Sequence, residues 1–252
     1  MISIIISNYN HNKYIKRNLK SWYDQTYQDF EIILIDEHSD SKLSDDIPGI
    51  ESLSKLILIE NRTNIRRWLG DSWNLGLDLA SGDYIVLFGA DDIAYPTYLE
   101  ENLKVLQKSN RKWITGGHTL INHKEEKLYD VYTEKNKITD DNIESILRAG
   151  GLACGSCMYE REILFKVGCF ISIMEDRDMW FKLIYHKYYP VFLNKALYGW
   201  RQNSSTSRRG INKNEITPKY QRFFKDKNNS LLDIINYGKN VLNGKYQFLD
   251  DN

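Results

Sequence analysis

The chain has 252 residues, 42% hydrophobic and 27% charged, enough to bury a sizeable core as one large domain or a domain with an appendage. Its 34 basic and 34 acidic side chains cancel, which excludes the global charge signature of a nucleic-acid-binding protein. No run approaches about eighteen apolar residues, so no membrane-spanning helix is expected, and Cys154, Cys157 and Cys169 are too few for a disulfide framework.

The chain opens on "SIIIS" (3–7), a strand by its β-branched content and length. No secretory signal is visible ahead of it, which makes the cytoplasm the expected compartment. Ile15, Leu19 and Trp22 then recur at i, i+4 and i+7, the spacing of one helix face. "EIILID" (31–36) and "KLILI" (55–59) read as buried strands, 65–80 as a helix, and "YIVLF" (84–88) as a fourth strand. Pro96 suits the first turn of a helix whose inner face carries Leu99, Leu103 and Leu106. Strand–helix alternation of this kind implies an α/β fold with a mostly parallel, Rossmann-like sheet flanked by helices. Nearly continuous apolar strands agree with a sheet covered on both faces.

The second half is less regular. Residues 139–150 read as a helix with Thr139 as N-cap, 161–170 as a short helix ending near Gly168, and 174–190 as a helix opening on acids, which its dipole favours, and stopping at Pro190. "VFLN" and "ALYGW" read as two strands, and beyond about residue 211 helical pieces such as "LLDIINYGKNVL" alternate with Lys, Asn and aromatics. Between Ser207 and Asn228 seven Lys and Arg face two Asp and Glu, either a solvated basic stretch or a patch for an anionic lipid or acceptor. "CGSC" (154–157) lacks the further ligands of a zinc site, so quiet, buried thiols are expected there.

In parallel sheets ligands bind beyond the carboxyl ends of the strands. Three polar clusters fall at those ends: Ser7-Asn8-Tyr9-Asn10, Asp36-Glu37 and Asp91-Asp92. The two adjacent aspartates repel, so the site must supply something that offsets them. Neither the glycine fingerprint of dinucleotide binding nor a P-loop is present.

Four stretches in this order carry a family resemblance: "SIIISNYNHNKYIKRNLKSWYDQTYQDFEIILIDEHSD", "NLGLDLASGDYIVLFGADD", "CMYEREILFKVGCF" and "EDRDMWFKL". Over roughly residues 2–205 the chain resembles the inverting family 2 glycosyltransferases of the GT-A, nucleotide-diphospho-sugar transferase, fold. The resemblance implies a nucleotide-sugar-binding half (1–110), an acceptor-binding half of the same domain (111–210) and a basic, aromatic-rich helical extension (211–252). It makes Ser7, Asn8 and Tyr9 base or ribose contacts, and Asp36 or Glu37 an acceptor for an imide-type N–H of the base. Where the family has Arg before the Asn of its next motif, this chain has Trp73 before Asn74. Asn74 is then a donor contact, and Arg66 or Arg67 reaches the base or diphosphate, or both arginines are surface charges.

Asp91 and Asp92 match the end of the family's Asp-x-Asp-Asp metal motif, with Gly89 in place of the first Asp. They imply Mn²⁺ or Mg²⁺, with Asp91 also touching the donor. Glu175-Asp176 resembles the acceptor-side acid motif. Asp176 would be the base that deprotonates an acceptor hydroxyl, with Glu175, Cys157 and Trp180 beside the acceptor sugar. Asn203 stands where the family often has a His near the diphosphate. The implied partners are a nucleotide-sugar donor, UDP-linked first, and a glycan or lipid-linked saccharide acceptor of bacterial surface polysaccharide synthesis. Residues 207–228 are the candidate contact with the inner face of an anionic membrane. A catalytically inactive, nucleotide- or glycan-binding descendant of the fold is the alternative.

Overall fold

The computed structural model describes residues 1–63, 69–131, 139–149, 152–170, 175–202, 226 and 228–240. Four strands, β1 (Ile2–Asn8), β2 (Phe30–Glu37), β3 (Leu56–Asn61) and β4 (Tyr84–Gly89), pair in parallel in the spatial order β3-β2-β1-β4. Their register lines up one rim: Asn8 lies opposite Asp36, Ser7 opposite Gly89, and Glu37 opposite Asn61. β5 (Ile93–Ala94), β6 (Trp113–Ile121), β7 (Lys127–Val131), β8 (Met158–Glu160) and β9 (Val191–Arg201) extend the sheet beyond β4 in the order β8-β6-β9-β5, with β7 paired to β6. The sheet becomes mixed where β8 runs antiparallel to both β4 and β6.

Side chains alternate across a strand, so β1 feeds two cores. Ile4 and Ile6 pack with α1 (Asn12–Tyr23), α2 (Leu43–Asp46) and, past β5, α4 (Tyr98–Lys108). Ile5 packs on the other face with α3 (Leu69–Leu79), α5 (Ile143–Ala149), α6 (Arg161–Lys166), α7 (Glu175–Tyr185) and α8 (Leu231–Asn240). α3 lies so close to β1 that a Cβ on Gly76 would collide with Cγ2 of Ile5. Ile234 and Ile235 of α8 are buried, and Arg148 of α5 donates to the carbonyls of Asp226 (3.0 Å) and Asn229 (2.8 Å). This part of the C-terminal extension therefore packs on the core.

The structure departs from the sequence reading at several places. "VFLN" and "ALYGW" are one eleven-residue strand, β9, whose register against β6 slips between Gly116 and Gly117. The slip breaks the hydrophobic alternation, which made one strand look like two. The helix expected from 139 begins at Ile143, and Thr139 gives its N–H to Asn142 Oδ1 instead of capping with its side chain. Pro96, expected in the first turn of α4, instead precedes its N-cap residue Thr97. Gly168 does end its helix segment, at φ +90°, a conformation glycine adopts without strain.

Candidate active site

At the rim, Asn8 Nδ2 donates to Asp36 Oδ1 at 2.6 Å and to Asn12 Oδ1 at 2.7 Å, joining the ends of β1 and β2 to the start of α1. Asp36 is fully buried, a costly place for a carboxylate without partners. Arg62 supplies the charge, its Nη2 lying 3.0 Å from Asp36 Oδ2, while Ser39 Oγ donates to Oδ1. Arg62 Nη1 also binds the carbonyl of Ser39 at 2.9 Å, which fixes the loop after β2. Glu37 is equally buried and accepts from Asn61 Nδ2 and Ser72 Oγ, both at 2.7 Å, tying β2 to β3 and α3. Both expected base-binding acids are thus held by the protein's own donors, and a base N–H would share or replace one of them. Ser7 and Tyr9 are half-buried beside them. Arg66 and Arg67 lie outside the described residues; the guanidinium set against the rim here is Arg62.

The turn after β4 is fastened from two sides. From α1, Asn18 Nδ2 donates to the carbonyls of Gly89 (2.8 Å) and Asp92 (2.9 Å), and Ser21 Oγ accepts from Ala94 N–H (3.1 Å). From β9, the Arg201 N–H donates to Asp92 Oδ1 at 2.9 Å and its Nε to the carbonyl of Asp91 at 2.7 Å. The remaining donors of Arg201 reach the carbonyls of Asn122 and His123 (3.1 Å each) and Glu125 Oε1 (3.2 Å), and its guanidinium lies 4.6 Å from the Tyr14 ring centre. This arginine, 1% exposed, is what the sequence left unspecified: the positive charge behind the two aspartates. Asp92 is itself raised well above the usual carboxylate range, by burial first and then by Asp91, with the N–H and charge of Arg201 opposing the rise.

Asp91 keeps 15% of its side chain exposed, with His11 Nδ1 3.5 Å from its Oδ2. An outward carboxylate with a second one behind it is an oxygen donor set that fits a hard divalent cation. Among the described residues no three His, Cys, Asp or Glu side chains form a ready-made metal site, so water and phosphate oxygens would complete the shell.

Asp176 lies in the first turn of α7, its Oδ1 accepting from the Arg177 N–H at 2.7 Å. Burial pushes Cys157 up to about 11 against the lowering hydrogen bonds of Thr115, Tyr159 and Ser156, and the charge of Asp176 is the smallest contribution. Tyr198 is raised by burial and next by the charge of Asp92. Asn203 and the side chain of Glu175 lie outside the described residues.

Three expected contacts sit elsewhere. Cys157 is fully buried, as is the ring of Trp180, whose Nε1 donates to the Tyr159 hydroxyl at 2.8 Å, so both pack beneath the surface an acceptor would touch. Asn74 clamps the backbone of Phe170 in both directions, Nδ2 to its carbonyl at 2.8 Å and Oδ1 from its N–H at 2.9 Å. It fixes Phe170 at the end of the segment after α6, and Trp73 beside it is buried edge-on against Phe170. A cavity of about 600 Å³ lined by Asp83, Tyr84, Arg161 and Lys166 opens at the start of β4, the far end from Asp91. Sequence reasoning missed Asn18, Arg62, Arg201 and His11. Only Asn18 left a trace, a polar residue on the face of α1 that carries Ile15, Leu19 and Trp22.

A sheet with this order, and acids gathered where its parallel strands end, define a GT-A-type glycosyltransferase. The fold matches that of TarS from S. aureus, solved in complex with UDP-GlcNAc, with a TM-score of 0.67 over 83% of this chain and 61% of that one, at 18% identity. The sequence profile of glycosyl transferase family 2 matches residues 3–168, and the chain belongs to that family. An uncharacterised glycosyltransferase of Nostoc is 29% identical over 66% of this chain and 52% of its own length. A Methanococcus voltae dolichyl N-acetylglucosaminyl phosphate diacetamido-dideoxy-glucuronosyltransferase is 29% identical over 65% of this chain and 49% of its own. The chain thus spans about half the length of these two relatives. The putative glycosyltransferase EpsE of Bacillus subtilis is 25% identical over 82% of this chain and 75% of its length.

Proposed function

We propose that this glycosyltransferase moves a sugar from a nucleotide-diphosphate donor, UDP-linked first, to a hydroxyl of a glycan or lipid-linked saccharide, by a single displacement with inversion, in bacterial surface polysaccharide synthesis. The observation that carries the reading is the gathering of acids where the parallel strands end, Asp36 and Glu37 at the end of β2 and Asp91 and Asp92 just past β4, in a chain of family 2. Asp176, in the first turn of α7, is the acid that would take the acceptor proton. The capture of TarS with UDP-GlcNAc supports the donor class, and the lipid-linked acceptor in the name of the M. voltae relative supports the acceptor class.

In this reading Asn8, Asp36 and Arg62 form the nucleoside end of the site, with Ser7, Tyr9, Glu37 and Arg66 or Arg67 around it. Asp91 and Asp92 would hold a divalent cation, Mn²⁺ or Mg²⁺, which supplies positive charge to the departing diphosphate. Asp176 draws the proton from the acceptor hydroxyl as the glycosidic bond forms, through an oxocarbenium-like transition state. Calorimetric titration of UDP, GDP and dTDP, each with Mn²⁺ and again with EDTA, tests the donor end. The expected result is metal-dependent binding of UDP in preference to the other two. Binding that EDTA leaves unchanged would remove the cation from the mechanism. Nucleotide binding with no release of nucleotide diphosphate from any donor would favour the inactive descendant.

Among the described residues no helix is long and apolar enough to cross a membrane. Approach to an anionic inner leaflet is assigned to residues 207–228, of which only 226 and 228 are described. Liposomes containing anionic lipid are expected to retain the protein at low salt and release it at high salt. Equal recovery with neutral and anionic liposomes would discard the membrane contact.

A further inference from the structure

Gly89 stands where the family's metal motif begins with an aspartate, and the carboxylate of Asp92 occupies the space beside it that such a side chain would need. A Cβ on Gly89 would come 2.7 Å from Asp92 Oδ2 and 3.1 Å from its Cγ. Asp92 has folded over the glycine, with its other oxygen on the Arg201 N–H. Asp91 keeps part of its carboxylate exposed, and His11 is set against it. His11 occupies the N-cap position of α1 but makes no capping hydrogen bond with its side chain. Its Nδ1 is buried, has no hydrogen-bond partner among the described residues, and lies 3.5 Å from Asp91 Oδ2.

A buried imidazole nitrogen without a partner, aimed at a carboxylate oxygen, is arranged as half of a ligand pair. Two donor atoms at right angles around one ion, each about 2.1 Å from it, stand about 3 Å apart. The observed pair reaches that spacing with a shift of about half an ångström. We propose that His11 joins Asp91 as a protein ligand of the divalent cation that accompanies the nucleotide diphosphate, taking over the coordination the family draws from the residue at position 89. This rests on the donor-site reading above. It also assigns metal preference. Mg²⁺ favours an all-oxygen shell and gains little from imidazole, whereas first-row transition ions such as Mn²⁺ accept the nitrogen. His11 therefore tilts the site toward Mn²⁺.

The test is Mn²⁺ binding to the full chain at saturating UDP, followed by electron paramagnetic resonance of free Mn²⁺, with Mg²⁺ affinity obtained by competition. His11→Ala is expected to weaken Mn²⁺ binding about 10- to 100-fold, the range seen when the surroundings of a metal site are altered, and to leave Mg²⁺ binding within about twofold. His11→Asp, which restores an oxygen, is expected to lower the ratio of Mn²⁺ to Mg²⁺ affinity. Electron spin-echo spectra of the wild-type Mn²⁺–UDP complex should show imidazole nitrogen coupling that His11→Ala abolishes. Wild-type binding that His11→Ala leaves unchanged, with no nitrogen coupling, overturns this inference alone. A wild-type protein that binds no Mn²⁺ with UDP removes the donor reading and this inference together.

Discussion

Asp176→Asn is expected to lower sugar transfer about 10²- to 10⁴-fold, the usual contribution of a positioned general base. The substitution keeps shape and removes only the proton acceptor. The Arg177 N–H that holds Oδ1 at 2.7 Å can hold the amide oxygen equally well, so the start of α7 should not move. Binding of UDP with Mn²⁺ should then match the wild type, because the donor end of the rim lies on β1, β2 and β4. The measurement is kcat for transfer beside a calorimetric Kd for UDP and Mn²⁺. Transfer preserved within about threefold would take the role of base away from Asp176.

Arg201→Met should act on both stability and donor binding. The arginine is fully enclosed and links four parts of the chain: the Asp91–Asp92 turn, the carbonyls of Asn122 and His123, Glu125 and, through its guanidinium face, Tyr14 of α1. Glu125 keeps Arg17, but the carbonyls of Asp91, Asn122 and His123 lose their donor, at about 1–3 kcal/mol for each one left unsatisfied, or about 3–5 kcal/mol in all. For a chain of this size that corresponds to a fall in Tm of about 10 °C. The backbone N–H at position 201 still reaches Asp92, but the buried positive charge that opposes the repulsion between Asp91 and Asp92 is gone, so nucleotide–metal binding should weaken even at temperatures where the variant is folded. Arg201→Lys should rescue little, because a single ammonium cannot bond the Asp91 carbonyl, two further carbonyls and Glu125 at once. Thermal melting and calorimetry at about 10 °C, well below the expected midpoint, separate the two effects. A variant that melts earlier yet binds UDP and Mn²⁺ as before would show that Arg201 serves the fold alone.

How much was legible in the sequence divides along a physical line. β1, β2 and β4 are near-continuous apolar runs because their sheet is covered on both faces, and that pattern is written locally. The apolar face of α1 and the acid pairs at 36–37, 91–92 and 175–176 are local in the same sense. So the strand–helix alternation and the rim on which acids gather were readable from residue types and spacing, and the GT-A-type fold from the resemblance that four stretches carry. β6 to β8 were not. Gly116 and Gly117 interrupt β6, and β8 has three residues, so neither has a run long enough to show a period.

The partners of the acids belong entirely to the tertiary structure. Asn18, Arg62 and Arg201 are single polar residues whose counterparts are set by strand order: Asn18 meets Asp92 across 74 residues, and Arg201 meets Asp91 across 110. The burial of Cys157 and Trp180, and the clamp of Asn74 on Phe170 across 96 residues, were decided in the same way. A sequence can show that two carboxylates stand side by side. Which charge lies behind them depends on which strand the fold brings alongside, and here β9 brings Arg201 because β5, just past the acid pair, hydrogen-bonds to β9.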